Sequence, residues 1–131
     1  MISILNIILI VLAHLVGDWL WQSREMALTK SSSFKVLIEH VSRVMIMQSI
    51  PGHFIFKEIG FEPLFIWIGL NFTLHAIQDW FIWRIAAKKL LKSCKTKAEA
   101  YETRTFWNVV GVDQALHYIV YFSTLIPLIK M

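Results

Sequence analysis

The chain is short of cysteine, of charge and of proline, and each shortage excludes something. A single cysteine among 131 residues, Cys94, cannot close an intrachain disulfide, and its lysine-rich surroundings read as a reduced thiol in a reducing compartment. Only 17% of the residues are charged while 56% are hydrophobic. With a mean hydropathy of +0.57, this is too apolar for an ordinary soluble domain. No basic flank precedes the first apolar run, so it reads as a retained helix and not as a secretory signal peptide. No DNA- or RNA-binding motif accompanies the excess of 13 basic over 9 acidic residues, and no nucleic-acid partner is expected. The three prolines sit at boundaries: Pro51 with Gly52 signals a turn, Pro63 opens an apolar run, and Pro127 marks where the last one frays.

What is present is apolar sequence in four runs, about residues 2–21, 35–50, 64–87 and 105–129. A bilayer-spanning helix needs about 20 residues, so the expected fold is all-α: one domain, an integral membrane bundle of four transmembrane helices. The second run is the shortest and carries Glu39, His40, Ser42, Arg43 and Gln48, which suggests a tilted or partly interfacial segment. Loop charge sets the orientation. Arg24, Lys30 and Lys35 flank the first connection, and Arg84, Lys88, Lys89, Lys92, Lys95, Lys97 and Arg104 crowd the third. The second offers Lys57 against Glu58 and Glu62. The positive-inside rule then puts connections one and three in the cytoplasm and both termini outside, in a multi-pass protein of the inner membrane. Trp19, Trp21, Trp80, Trp83, Phe106 and Trp107 fall near the cytoplasmic ends, as interfacial anchors do. His53, beside Gly52, reads as a solvated loop residue. The lysines of the third connection suit anionic lipid headgroups, at about 1 kcal/mol each, or serve topology alone.

Inside these apolar runs lie three pairs of histidine and aspartate four residues apart: His14/Asp18, His75/Asp79 and Asp113/His117. Four-residue spacing puts both members of a pair on one helix face. Longer stripes extend them: His14, Asp18 and Gln22; Asn71, His75 and Asp79; Asp113, His117 and Tyr121. His40 and Arg43 share a face of the second run, with Glu39 directed differently. At about 1.5 Å per residue from the cytoplasmic ends, Asp18 and His14 lie roughly 5–12 Å deep and His40 about 8 Å. On the same count the other two pairs lie about 12–18 Å deep. All seven fall in one leaflet, which predicts one shared site.

Three membrane-buried aspartates cost on the order of 8–10 kcal/mol unless neutralised. Arg43 is expected to offset one charge and a divalent ion the other two. Imidazole with carboxylate is a normal donor set for Zn²⁺, with Mn²⁺ or Fe²⁺ as alternatives. His14, Asp18, His40, His75, Asp79, Asp113 and His117 are the candidate ligands, enough for one ion with orienting neighbours or for two ions. Gln22, Gln114 and Asn71 are candidates to position water or substrate, and Arg43 to stabilise anionic charge. One such pair alone would only hydrogen-bond and hold helices together. Three at matching depth favour metal binding, over a metal-free proton pathway or structural packing.

At these residues the chain resembles the DUF3307 family of small membrane proteins from bacteria and their phages. Ala13-His14-Leu15-Val16-Gly17-Asp18-Trp19-Leu20-Trp21-Gln22 matches its H-x-x-G-D-[FW]-x-x-Q opening. His75-Ala76-Ile77-Gln78-Asp79 matches its central H-x-x-x-D, and Asp113-Gln114-Ala115-Leu116-His117 its closing D-Q-x-x-H. Lys30 and His40 sit where the family tends to have a lysine and a histidine. Where it often has a lysine after the central motif, this chain has Ile82, and the nearest base is Arg84. The family is similar to membrane-bound metal-dependent hydrolases of the YdjM type, which implies hydrolysis by analogy. The leading expectation is therefore a membrane-embedded hydrolase of a lipid-linked or amphiphilic (phospho)ester, using a metal-activated water. A divalent-cation or proton carrier, which four spans would require to act as a homo-oligomer, is the alternative from another class. A small phage or bacterial accessory protein with a structural metal is the third.

Overall fold

The computed structural model describes residues 3–94, 99 and 102–130, and every long element in it is helical. Helix α1, Ile4–Leu15, begins where the Ser3 hydroxyl accepts a hydrogen bond from the Asn6 amide, and runs directly into a π-helical turn, Val16–Leu20. A short helix α2, Arg24–Thr29, follows, N-capped by Ser23. The long helices α3, Phe34–Phe56, α4, Phe61–Ser93, and α5, Arg104–Leu128, complete the bundle. Ser33 and Thr103 cap α3 and α5, each supplying the hydroxyl acceptor that a helix N-terminus lacks. Among the described residues one helix, α5, passes as a membrane span by length and apolar composition. The apolar stretch Ile4–Leu20 is shorter.

The four predicted runs coincide with α1 and its π-turn, α3, α4 and α5, but two boundaries move. The second run does not stop at Pro51-Gly52: α3 continues through both to Phe56 and is 23 residues long. The reason lies in α4. A Cβ on Gly52 would meet Leu64 Cδ1 at 2.7 Å and the Trp67 ring at 3.1 Å, so this glycine lets two helices approach and does not open a turn. The turn comes at residues 57–60, where Gly60 adopts φ 123°, a conformation that favours glycine. His53 accordingly lies within a helix, exposed, with its ring stacked on Phe61. The third run extends beyond residue 87 to Ser93, making α4 33 residues long and about 50 Å from end to end. Lys95 and Lys97 lie outside the described residues.

Helix α3 packs on α1, the π-turn and α4, and α4 packs on α5. Gly17 permits the contact of the π-turn with α3, because a Cβ there would stand 2.8 Å from the Val44 Cα. Gln48 donates to the Ile10 carbonyl, Trp67 to the Tyr121 carbonyl and Asn71 to the Thr124 hydroxyl, tying the pairs together. The interior is layered. Phe56, Leu64, Trp67, Leu125 and Leu128 fill the end near the α3–α4 turn, and every predicted histidine–aspartate pair is buried in the remainder. The outside is the reverse, with Ile4, Leu20, Phe34, Phe61 and Phe65 all more than 60% exposed. Trp19 lies against Trp107, Phe106 against Trp83 and Trp107, so the aromatic residues of three helices gather at one level.

Candidate metal centre

All seven predicted ligands meet. His14, Asp18, His40, His75, Asp79, Asp113 and His117 are each at most 2% exposed, although they come from α1, the π-turn, α3, α4 and α5. Helix periodicity supplies the pairs, and the π-turn places Asp18: Trp21 N–H reaches back to the Val16 carbonyl, five residues away.

Asp79 stands at the middle. Its Oδ2 lies 3.1 Å from His40 Nε2 and 3.3 Å from His75 Nε2, and its Oδ1 lies 3.7 Å from His117 Nε2. Asp18 Oδ1 is 3.0 Å from His40 Nε2 and 4.0 Å from His75 Nε2. Asp18 Oδ1, both Asp79 oxygens, His75 Nε2 and His117 Nε2 make no hydrogen bond of regular geometry, although imidazoles and the Lys30 ammonium stand within ion-pair distance of the carboxylates. Buried polar atoms are normally hydrogen-bonded; here they are gathered at ion-pair distance instead. That is the pattern of donors facing a common centre. Donors held at about 2.0–2.1 Å by a tetrahedral ion stand about 3.3 Å from each other, and the separations among Asp18, His40, His75 and Asp79 scatter about that edge. The four donor atoms fall within 4.8 Å of one another, as do those of a second group, Asp79, Asp113 and His117. Both groups are close enough to hold a metal ion, and Asp79 belongs to each.

Neighbouring groups fix the imidazoles and carboxylates. The Gln114 carboxamide bridges α5 to α1, its Oε1 3.1 Å from His14 Nε2 and its Nε2 donating to Asp18 Oδ2. The Tyr121 hydroxyl shares a hydrogen bond with His75 Nδ1 at 3.4 Å, which leaves Nε2 for the cluster. Asp113 accepts from Gln78 at Oδ1 and from the Trp83 indole at Oδ2, and sits 3.5 Å from His117 Nε2. His75 and His117 stack at 3.9 Å. Such partners orient ligands and set their tautomers.

The cation at the cluster is Lys30, not Arg43. Lys30, at the C-cap of α2, is 3% exposed. Its Nζ lies 3.0 Å from Asp79 Oδ1, 3.3 Å from His40 Nε2 and 3.7 Å from Asp18 Oδ1. Burial alone would lower its pKa, but Asp79, Asp18 and Asp113 together outweigh burial and raise it, so the ammonium stays charged. Arg43, expected to offset one aspartate, instead donates to Glu39 Oε1 at 2.6 Å and to the Trp21 carbonyl at 2.9 Å, on the outside of α3. Glu39 and the Trp21 carbonyl hold its guanidinium away from the cluster.

Of the residues expected to position water or substrate, only Gln114 touches the ligands. Asn71 bonds the Trp67 carbonyl and Thr124, a turn below His75. Gln22 is half-buried, and its Oε1 has no hydrogen-bond partner. Lys30 was legible only as loop charge and through the resemblance; Gln78 adjoins Asp79 and Trp83 follows it by one turn on α4, and both reach Asp113 although neither is charged.

The DUF3307 profile matches residues 6–129. The chain belongs to this family. Its description, a protein of unknown function, names no reaction. No curated protein and no solved structure gives a match. In this DUF3307 chain the matched segment contains the whole cluster, Lys30 and Gln114 included.

Proposed function

We propose that α1, α3, α4 and α5 cross a lipid bilayer and that the buried cluster binds a divalent cation, zinc before manganese or iron, to hydrolyse a lipid-linked or amphiphilic (phospho)ester. The observation that carries this reading is the convergence of imidazole and carboxylate donor atoms, within 4.8 Å of one another, in a fully buried site. Charge supports it. Asp18, Asp79 and Asp113 bring three negative charges and Lys30 one positive, and a divalent ion offsets the remaining two. The membrane reading draws on the inverted distribution of polarity, with aspartate, lysine and histidine inside and large aliphatic and aromatic side chains outside.

In this reading His40, His75 and Asp79 hold the ion with Asp18. When bound, the ion supplies the Lewis acidity that activates a water molecule as nucleophile. Hydrolysis needs an open coordination position, and Asp18 is the donor suited to yield it. It sits on the π-turn, and with Gln114 holding Oδ2, its Oδ1 faces the cluster as the oxygen that would accept a proton. Tyr121 keeps His75 Nε2 directed inward, and Asp113 Oδ1 stands 3.5 Å from His117 Nε2 as a second donor on that side. The basic end of α4, with exposed Lys89 and Lys92, attracts anionic amphiphiles to the cytoplasmic face.

The test is turnover in mixed micelles of a panel of acylated, fluorogenic phospho- and carboxylic esters. Cleavage that stops on chelation, returns with Zn²⁺ and is missing in Asp79→Ala supports hydrolysis. Divalent-cation flux in proteoliposomes, with every ester left intact by metal-loaded protein, would replace it with the carrier reading.

A further inference from the structure

Resting on the metal reading above, we infer that Lys30 is a built-in second cation: its ammonium takes the place of a second metal ion at Asp79 Oδ1, so that the centre holds one divalent ion and not two.

The donors are otherwise laid out for a pair. Asp79 belongs to both groups that could hold an ion, offering Oδ2 to His40 and His75 and Oδ1 toward His117. A carboxylate with one oxygen toward each of two ions is how centres with metals about 3.5–4 Å apart are commonly bridged. In this chain, however, the closest cationic atom to Asp79 Oδ1 is Lys30 Nζ at 3.0 Å. The ammonium also lies within 4 Å of His40 Nε2 and Asp18 Oδ1, so it borders the four-donor group along one edge.

Charge then decides the number of ions. With every imidazole neutral, as metal binding requires, three carboxylates, one ammonium and one divalent ion sum to zero. A second divalent ion would leave two uncompensated positive charges in a site whose residues are at most 3% exposed, and buried charge of that kind is not tolerated. Without the ammonium, two ions would leave a single positive charge, which one anion from solvent offsets. Lys30 differs from a metal in being covalently tethered. It cannot be chelated, and it presents a positive charge and three donors at a fixed place beside the ion. The connection between α1 and α3 therefore serves the site directly. Ser23 caps α2, and the Ser32 and Ser33 amides both return to the Thr29 carbonyl, turning the chain so that Lys30 faces inward.

The experiment compares metal titration of wild-type protein with that of Lys30→Gln, using Zn²⁺ for stoichiometry and Mn²⁺ for paramagnetic resonance. The expected result is one ion per wild-type chain with an uncoupled Mn²⁺ signal. Lys30→Gln should take two, with exchange coupling, and return to one when His117→Ala is added. Two ions in the wild type, or one in Lys30→Gln, would overturn the inference and leave the metal reading intact. No ion in either protein would overturn both. Should Lys30→Gln fail to fold, the wild-type spectrum decides alone: an uncoupled signal supports the inference, and a coupled pair of Mn²⁺ ions overturns it.

Discussion

Replacing Gly17 with alanine asks whether the close approach of the π-turn to α3 is what holds Asp18 against His40. The added Cβ would stand 2.8 Å from the Val44 Cα and 3.4 Å from the Met47 Cβ. Non-bonded carbons rest at about 3.5–4.0 Å, so the π-turn has to retreat by about 1 Å. The nearer obstacle is backbone, which no rotamer change can move. Overpacking of this kind costs about 1–3 kcal/mol, more than the roughly 1 kcal/mol by which alanine outdoes glycine in a helix. Net destabilisation follows. Asp18 is the next residue, and its 3.0 Å separation from His40 Nε2 would open with the turn. A ligand displaced in this way should weaken metal binding about 10- to 100-fold, as loss of an orienting group does. Gly69 and Gly111 are internal controls, since a Cβ at either meets nothing within 4 Å. Alanine there should leave stability unchanged or raise it by about 0.5–1 kcal/mol. Gly52→Ala should fall between, because its obstacles are side chains, Leu64 and Trp67. Thermal unfolding in detergent and Zn²⁺ titration give both quantities. Gly17→Ala indistinguishable from Gly111→Ala in both would refute the packing argument.

Arg43→Ala should leave metal affinity within about twofold and change stability by about 1 kcal/mol or less, as expected of an exposed ion pair with Glu39; loss of metal in this variant would return Arg43 to the site. Tyr121→Phe removes the hydroxyl at His75 Nδ1 and should lower metal affinity about 10- to 100-fold with little change of fold. Gln114→Leu should do the same through Asp18 and His14, and near-neutral affinity in both variants would mean that these contacts do not orient ligands. In a Cys94→Ser background, a cysteine at the exposed position 89 should react with an impermeant maleimide from the cytoplasmic face, and one at position 58 from the opposite face. Labelling of both from one side would contradict the four-span arrangement.

The cluster was legible because each helix advertises its contribution locally. A histidine and an aspartate one turn apart inside an apolar run can face the interior together, and such residues from separate helices stand 3.0–4.0 Å apart. Three features were illegible for physical reasons. Pro51-Gly52 has turn composition, and only the Trp67 ring against Gly52 explains why the chain stays helical there. Lys30 and Arg43 exchange roles because loop charge reads as solvated until the chain is seen to fold back, while a residue three positions from His40 reads as inward-facing until Glu39 is seen to hold it. Gln78 and Trp83 stand near Asp79 on α4 and reach Asp113 across a helix interface, a contact between neutral groups that no spacing rule announces.

The most direct measurement is elemental analysis of detergent-purified protein, before and after chelation, for the wild type and for Asp79→Ala. A stoichiometric divalent metal in the wild type, removed by chelator and missing from folded Asp79→Ala, is the result that follows from donors converging on Asp79. Folded wild-type protein that takes up no divalent ion, or an Asp79→Ala protein that keeps its full complement, would contradict the central claim.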